Sequence, residues 1–254
     1  LLHGLTGSLH YWKRNLESIT KTHSLLLIDL LGFGDSPKPQ SDYSLSIQLQ
    51  ALEVVLNKEG FNDGKTTIAG HSMGAIISLA LLEKHPHWFK AGIFIGIPVY
   101  KDANEFKEVM SSHSFMDRIS TSKFSKYICM IHPIFMTRAF KPDNLTDDVF
   151  EDAKKHHWQS YYYSLNELIL KTDLFALAKG IKHKEVLFVH GEKDTTAPVE
   201  SALSLSRIFT NAKIVTSIEG DHQFFLKEAG FIWQTIQDFS VSDKKLQKTI
   251  SNEH

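Results

Sequence analysis

The segment Thr66-Thr-Ile-Ala-Gly-His-Ser-Met-Gly-Ala75 constrains this chain most. A short β-rich run breaks at Gly70-x-Ser72-x-Gly74 and passes at once into a helical pattern. Glycine has no Cβ, so the two glycines let the backbone turn sharply between strand and helix. The turn holds Ser72 at its tip, with its hydroxyl pushed outward and its backbone at a helix N-terminus. N–H groups there face any negative charge that develops beside the serine. Alone, the pentapeptide is a weak signal. Its surroundings give it weight.

Strand-like and helical stretches alternate on either side. Ser24–Asp29 is a short continuous apolar run, as in a strand buried on both faces. Leu45, Leu49, Leu52 and Leu56 recur at helical spacing, and Gly60 supplies a stop. A strand over Thr66–Ala69, a helix over about Met73–Lys84 and a strand over Ala91–Ile97 follow. After a long middle segment the rhythm returns: strand Glu185–His190, helix Pro198–Phe209, strand Lys213–Ile218 and a closing helix Glu228–Phe239. Such alternation predicts an α/β fold, a mostly parallel sheet with helices on both faces. Residues 101–182 break the rhythm and read as an inserted helical cap over the carboxyl edge of the sheet, where open α/β sheets bind ligands. The core is then 1–100 with 183–240, and 241–254 a polar, frayed tail.

In a parallel sheet the loops after the strand carboxyl ends converge on one edge. A serine hydroxyl needs a base to take its proton and a third group to orient that base. Two such groups follow later strands. Val186-Leu-Phe-Val-His-Gly-Glu-Lys-Asp194 is a strand, a glycine turn and a carboxylate, and Lys213-Ile-Val-Thr-Ser-Ile-Glu-Gly-Asp-His222 repeats the design with histidine. The order Ser72, Asp194, His222 is the order expected after a nucleophile turn. Acyl transfer also needs donors for a developing oxyanion. The Met73 N–H and the Leu5 N–H, in the loop His3-Gly-Leu-Thr-Gly7, are the candidates.

With these pieces the chain resembles the α/β-hydrolase superfamily, in its cap-bearing, esterase-like branch. The matching segments are Leu2-His-Gly-Leu-Thr-Gly7, Asp29-Leu-Leu-Gly-Phe-Gly-Asp-Ser36, Gly70-His-Ser-Met-Gly74, His190-Gly-Glu-Lys-Asp194 and Gly220-Asp-His222. The resemblance implies a serine hydrolase with Ser72 as nucleophile, Asp194 as orienting acid, His222 as base, and an oxyanion hole at Leu5 and Met73. The expected substrate is a small or medium apolar ester or related acyl compound. Serine at position 72 argues against the dehalogenases and epoxide hydrolases of the superfamily, which carry aspartate there. Acyl transfer, carbon–carbon bond hydrolysis on the same triad, and a non-catalytic ligand-binding role are the alternatives.

Composition narrows the rest. A net charge of −1 gives no general pull toward nucleic acid or anionic membrane, and no apolar run is long enough to span a bilayer. A single cysteine, Cys129, excludes an internal disulfide and points to a reducing compartment, so a cytoplasmic location is the expectation. His156-His157, with His132 and His113, lacks compact metal-ligand spacing. No metal and no cofactor are expected; the expected partner is a small acyl substrate, not nucleic acid, and the oligomeric state is left open.

Each site residue has a plainer reading. Ser72 is an ordinary turn serine, Asp194 caps the helix near Pro198 with Asp102 as substitute acid, and His222 is a surface loop histidine. His3 shapes the oxyanion loop by hydrogen bonding, His71 packs, and Asp29 and Asp35 stabilise turns. In the cap, Phe115, Met116, Phe124, Tyr127, Met130, Phe135, Met136, Phe140 and Trp158 suit either an acyl pocket or the cap's own core. Lys123, Lys126 and Arg138 suit a solvated face or a membrane-touching one.

The chain opens with Leu1-Leu2-His3-Gly4, like the end of a strand entering a loop, and reads as a fragment or a processed form. The resemblance implies two strands ahead of the His-Gly loop. Without them the apolar run Leu25–Asp29 lies at a sheet edge, an aggregation hazard. The expected outcome is poor solubility of this chain expressed alone. A sharp, reversible thermal transition would contradict that.

Overall fold

The structure, a computed structural model, describes residues 1–111, 127, 141 and 146–251. Four apolar runs become parallel strands: β1 (Thr66–His71), β2 (Phe89–Ile95), β3 (Glu185–Gly191) and β4 (Asn211–Ser217), adjacent in that order. Ile93 lies opposite Ala69 and Leu187, and Val189 opposite Val215; the register shifts once, between Thr66 and Thr67 of β1 against β2. Successive strand side chains face opposite ways, which divides the core in two. Ile68, Phe94, Val186 and Phe188 enter one apolar layer, and Ala69, Ile93, Ile95, Leu187 and Val189 the other.

Helices cover both layers, in chain order α1 (Glu17–Thr20), α2 (Leu45–Glu59), α3 (Met73–Lys84), α4 (Ala103–Ser111), α5 (Asp147–Ala153), α6 (Trp158–Tyr163), α7 (Leu174–Gly180), α8 (Val199–Ser206), α9 (Phe224–Lys227) and α10 (Ala229–Ser251). The first layer packs against α2, α3, α7 and α8 through Leu52, Ile76, Ala178 and Leu205. The second is closed by α1, α9 and α10 through Ile19, Phe225, Trp233 and Ile236. Met73 to Leu82 are all buried, because α3 is apolar on every side and is enclosed between the sheet and its neighbouring helices. No helix among the described residues is long and apolar enough to cross a membrane.

Several boundaries depart from the expected ones for local reasons. Ser24–Asp29 forms no extended strand. It makes a single bridge at Ile28, to Leu2, which also bridges Gly70. Its neighbour, Leu1–Leu2, offers only the Leu1 amine to the Leu26 carbonyl and the Leu1 carbonyl to the Ile28 N–H. β2 ends at Ile95 rather than Ile97, since Gly96, at φ 52°, turns the chain out of the sheet. Pro198 is the cap of α8 rather than its first residue, and Ile208 and Phe209 lie in turns after it. The closing helix continues to Ser251, past the expected limit near Phe239, through residues that include neither glycine nor proline.

The stretch expected as a cap, 101–182, is described in part. Leu168, Leu174, Ala178 and Ile181 belong to the main apolar layer beside α3. Phe106 and Leu165 form a separate small cluster with Leu5, Tyr100 and Ile169. His113, Phe115, Met116, Lys123, Phe124, Lys126, Cys129, Met130, His132, Phe135, Met136, Arg138 and Phe140 lie outside the described residues.

A cleft of about 460 Å³ opens at the amino-terminal edge of the sheet, bordered by Leu25, Phe61, Thr67 and Trp233. Ser72, Asp194 and His222 are not among its walls. They lie at the opposite, carboxyl edge.

Candidate active site

Ser72 joins β1 to α3 and itself carries the strain of the turn, at φ 52°, ψ −118°. A non-glycine residue there is costly and persists only where the surroundings hold it. The Ser72 N–H is tied to the Ile95 carbonyl at 2.9 Å, and its own carbonyl accepts from the Ala75 N–H at 2.9 Å. Neither Gly70 nor Gly74 has positive φ, which corrects the expectation that these glycines supply the bend. They supply room. A Cβ on Gly70 would lie 2.2 Å from the Gly74 carbonyl oxygen, and one on Gly74 would lie 2.4 Å from the Leu2 carbonyl oxygen.

The three side chains expected to meet do so in series. Ser72 Oγ lies 3.0 Å from His222 Nε2, and His222 Nδ1 lies 2.7 Å from Asp194 Oδ2. A carboxylate oxygen accepts, so Nδ1 carries the proton and the Nε2 lone pair faces the serine hydroxyl. Asp194 is held by its other oxygen, Oδ1, which accepts from the Thr196 and Ala197 N–H groups at 2.9 and 2.8 Å. It thus stabilises the turn before α8 and orients the imidazole with the same carboxylate. The loops after β3 and β4 are joined by Glu192 N–H to Ser217 O at 2.8 Å and Lys193 N–H to Gly220 O at 2.9 Å. Asp102, the substitute acid, is exposed and caps α4 through the Asn104 and Glu105 N–H groups.

The Leu5 N–H is aimed by its neighbours. The Leu30 N–H donates to His3 Nε2 at 2.9 Å, so His3 is protonated at Nδ1, which donates to the Gly4 carbonyl at 2.7 Å. The Gly7 N–H reaches the same carbonyl at 3.0 Å. In a trans peptide the C=O and the following N–H point in opposite directions. Fixing the Gly4 carbonyl twice therefore fixes the Leu5 N–H. The Met73 N–H is the first of α3, and a helix has no internal partner for it.

Among the described residues, most of the remaining sequence candidates have structural partners. Asp29 receives the Leu9 N–H at 2.7 Å and the Asp35 N–H at 2.8 Å, holding two loops together, and Asp35 accepts from Lys155 at 2.9 Å. His156 donates to the Ala153 carbonyl, and His157 caps α6. Trp158 lies near the Tyr162 and Tyr163 rings, and Tyr127 is exposed. His71 packs on Phe225, ring centroids 4.3 Å apart, as expected of a packing residue.

Sequence reasoning did not find Asp152. This buried carboxylate on α5 accepts from Ser8 Oγ and approaches His10 Nδ1, each at 2.5 Å, and pairs with Lys155 at 2.7 Å. Arg14 adds Thr146 and Asp148 as partners, the latter at 3.0 Å. The partners lie far apart in sequence, so no local pattern announces them.

This fold and this site identify the class: the chain belongs to the alpha/beta hydrolase fold family, whose pattern matches residues 1–229. It is similar to probable lysophospholipase BODYGUARD 1 of Arabidopsis thaliana, 25% identical over 273 residues, covering 92% of this chain and 58% of that protein. The chain therefore spans a little over half the length of that relative. Among solved structures, an esterase from Exiguobacterium antarcticum superposes with a TM-score of 0.73 at 20% identity, covering 94% of this chain and 90% of the other. A bromoperoxidase from Bacillus anthracis gives 0.74 at 17% identity, with coverage of 94% and 89%. At these identities the structural likeness is one of fold.

Burial sets the protonation of the surrounding imidazoles. Loss of hydration lowers His3 and His190 to about 4 and puts His71 well below its ordinary range. In an unfolded chain these groups titrate near about 6.5. Their folded values are depressed, so the unfolded state takes up protons first as pH falls. The stability that His3 and His190 contribute is intact above about pH 6.5 and is lost between there and about pH 4, and His71 loses its share in the same direction as pH falls. The expected result is a melting temperature that drops steeply across that window, with a shallower drop in His190→Leu. An unchanged slope in that variant would count against this source of acid sensitivity.

Proposed function

We propose that this chain carries the catalytic part of a serine hydrolase that cleaves a small or medium apolar carboxylic ester. The observation that carries the reading is the serial contact Ser72–His222–Asp194, at 3.0 and 2.7 Å, in a buried turn at the carboxyl edge of the sheet. Ser72 Oγ attacks the acyl carbonyl while His222 Nε2 takes its proton. Asp194 Oδ2 holds Nδ1–H and stabilises the imidazolium that forms. The Leu5 and Met73 N–H groups receive the oxyanion, each such donor being worth roughly 3–4 kcal/mol of barrier. His222 then gives its proton to the departing alcohol, and the acyl group remains on Ser72. Water, deprotonated by His222, releases the acid and restores the serine.

The apolar side chains beside Leu5, namely Phe106, Leu165 and Ile169, favour an acyl group without charge near the carbonyl. The Arabidopsis relative is named a probable lysophospholipase, and the acyl chain of a lysophospholipid is likewise uncharged beside its ester carbonyl. Water is the acceptor in this reading. Product analysis with competing alcohols separates it from acyl transfer.

A fluorophosphonate probe is expected to label the wild-type protein and leave Ser72→Ala unlabelled. Asp194→Asn is expected to keep the fold and lower turnover of a p-nitrophenyl ester by about 10⁴-fold, because the imidazole tautomer is disturbed. Folded wild-type protein that neither labels nor turns over any such ester would overturn the proposal.

A further inference from the structure

We infer that His71 is a positioning residue for His222, holding the base against the nucleophile by a hydrogen bond to its backbone. This rests on the reading of Ser72 and His222 as the reacting pair. His71 Nε2 lies 2.9 Å from the His222 carbonyl oxygen, across 151 residues of sequence. A carbonyl only accepts, so Nε2 carries the proton. Ser72 and His71, adjacent in the chain, therefore grip His222 at two points: Oγ at the imidazole Nε2 and the His71 ring at the main chain. The two rings lie 4.8 Å apart, tilted by 48°, and Phe225 backs His71 at 4.3 Å.

Packing alone does not account for an imidazole at this place. His71 is 1% exposed, and its Nδ1 is buried with no hydrogen-bond partner among the described residues. The backbone of Gly4 closes over that nitrogen, since a Cβ there would come within 2.9 Å of it. Burying a polar atom without a partner costs free energy that leucine or phenylalanine would avoid. The return on that cost is the bond made by the other ring nitrogen. The loop after β4 is joined to the loop after β3 at Ser217 and Gly220, and the His71 bond adds a tie at His222 itself. Burial also keeps His71 neutral, so the charge His222 acquires in the reaction meets no fixed positive charge from the neighbouring ring.

The test compares His71→Leu, His71→Phe and His71→Gln with wild type on p-nitrophenyl butyrate, with near-UV circular dichroism as the check on folding. Leucine and phenylalanine keep the apolar contact and remove the donor, whereas glutamine returns an N–H at similar reach. Loss of the donor is expected to lower kcat about tenfold or more with KM changed less than about twofold, and glutamine to recover most of the loss. Separately, ¹⁵N-imidazole NMR of the wild-type protein at pH 7 is expected to report His71 as the neutral Nε2–H tautomer. Equal kcat in all three variants, with Ser72→Ala inactive, would overturn the inference and leave the hydrolase reading standing. An Nδ1–H or doubly protonated His71 would overturn it too. Wild-type protein that turns over no ester would instead remove the hydrolase reading and, with it, any positioning role.

Discussion

Backbone pressed against backbone at the carboxyl edge of the sheet is the constraint on which the rest depends. The Leu1–Gly4 segment runs between Ile28 and Gly70 and passes so close to α3 that a methyl group on Gly74 would collide with the Leu2 carbonyl. The turn after β1 lies at the same place, and Ser72 rather than either glycine carries its positive φ. Side chains could not be packed into that space. Close approach of three backbone segments brings the Gly4–Gly7 loop beside Ser72, and the parallel register brings the ends of β3 and β4 to the same edge.

Around this edge the protein separates imidazoles by environment. His3, His71 and His190 are enclosed and neutral, each committed by burial and two of them by hydrogen bonds. His222 keeps some contact with solvent, its side chain being 15% exposed, and has a carboxylate on one nitrogen and a hydroxyl on the other. Four histidines thus have one proton acceptor among them facing the serine. Burial and partner, rather than residue type, make the distinction.

Much of this was legible in the chain. Ser72, Asp194 and His222 each follow an apolar run, the last two after a glycine turn, and strands of that kind end at one edge. β1, β3 and α3 lie within a residue or two of where hydrophobic runs and turn residues put them. The less legible parts depend on neighbours. Ser24–Asp29 has the composition of a buried strand but meets too little backbone to pair along its length. That Ser72 rather than a glycine bears the strain, and that Leu2 closes on Gly74, is marked by no local pattern. His71 looks like packing because the His222 carbonyl that it serves lies on the far side of the sequence. Leu174 and Ala178 read as cap residues, yet they complete the main apolar layer against α3.

The buried Asp152 carboxylate joins α5 to the segment just after the Gly4–Gly7 loop. Its partners Ser8 and His10 come directly after Gly7, whose N–H holds the Gly4 carbonyl and so aims the Leu5 N–H. Asp152, with Arg14 bonded to Thr146 and Asp148 beside it, ties α5 to the segment that leads from the peptide beside Ser72. The placement of α5 and the direction of that peptide therefore share one set of polar contacts, of which Asp152 is the buried member.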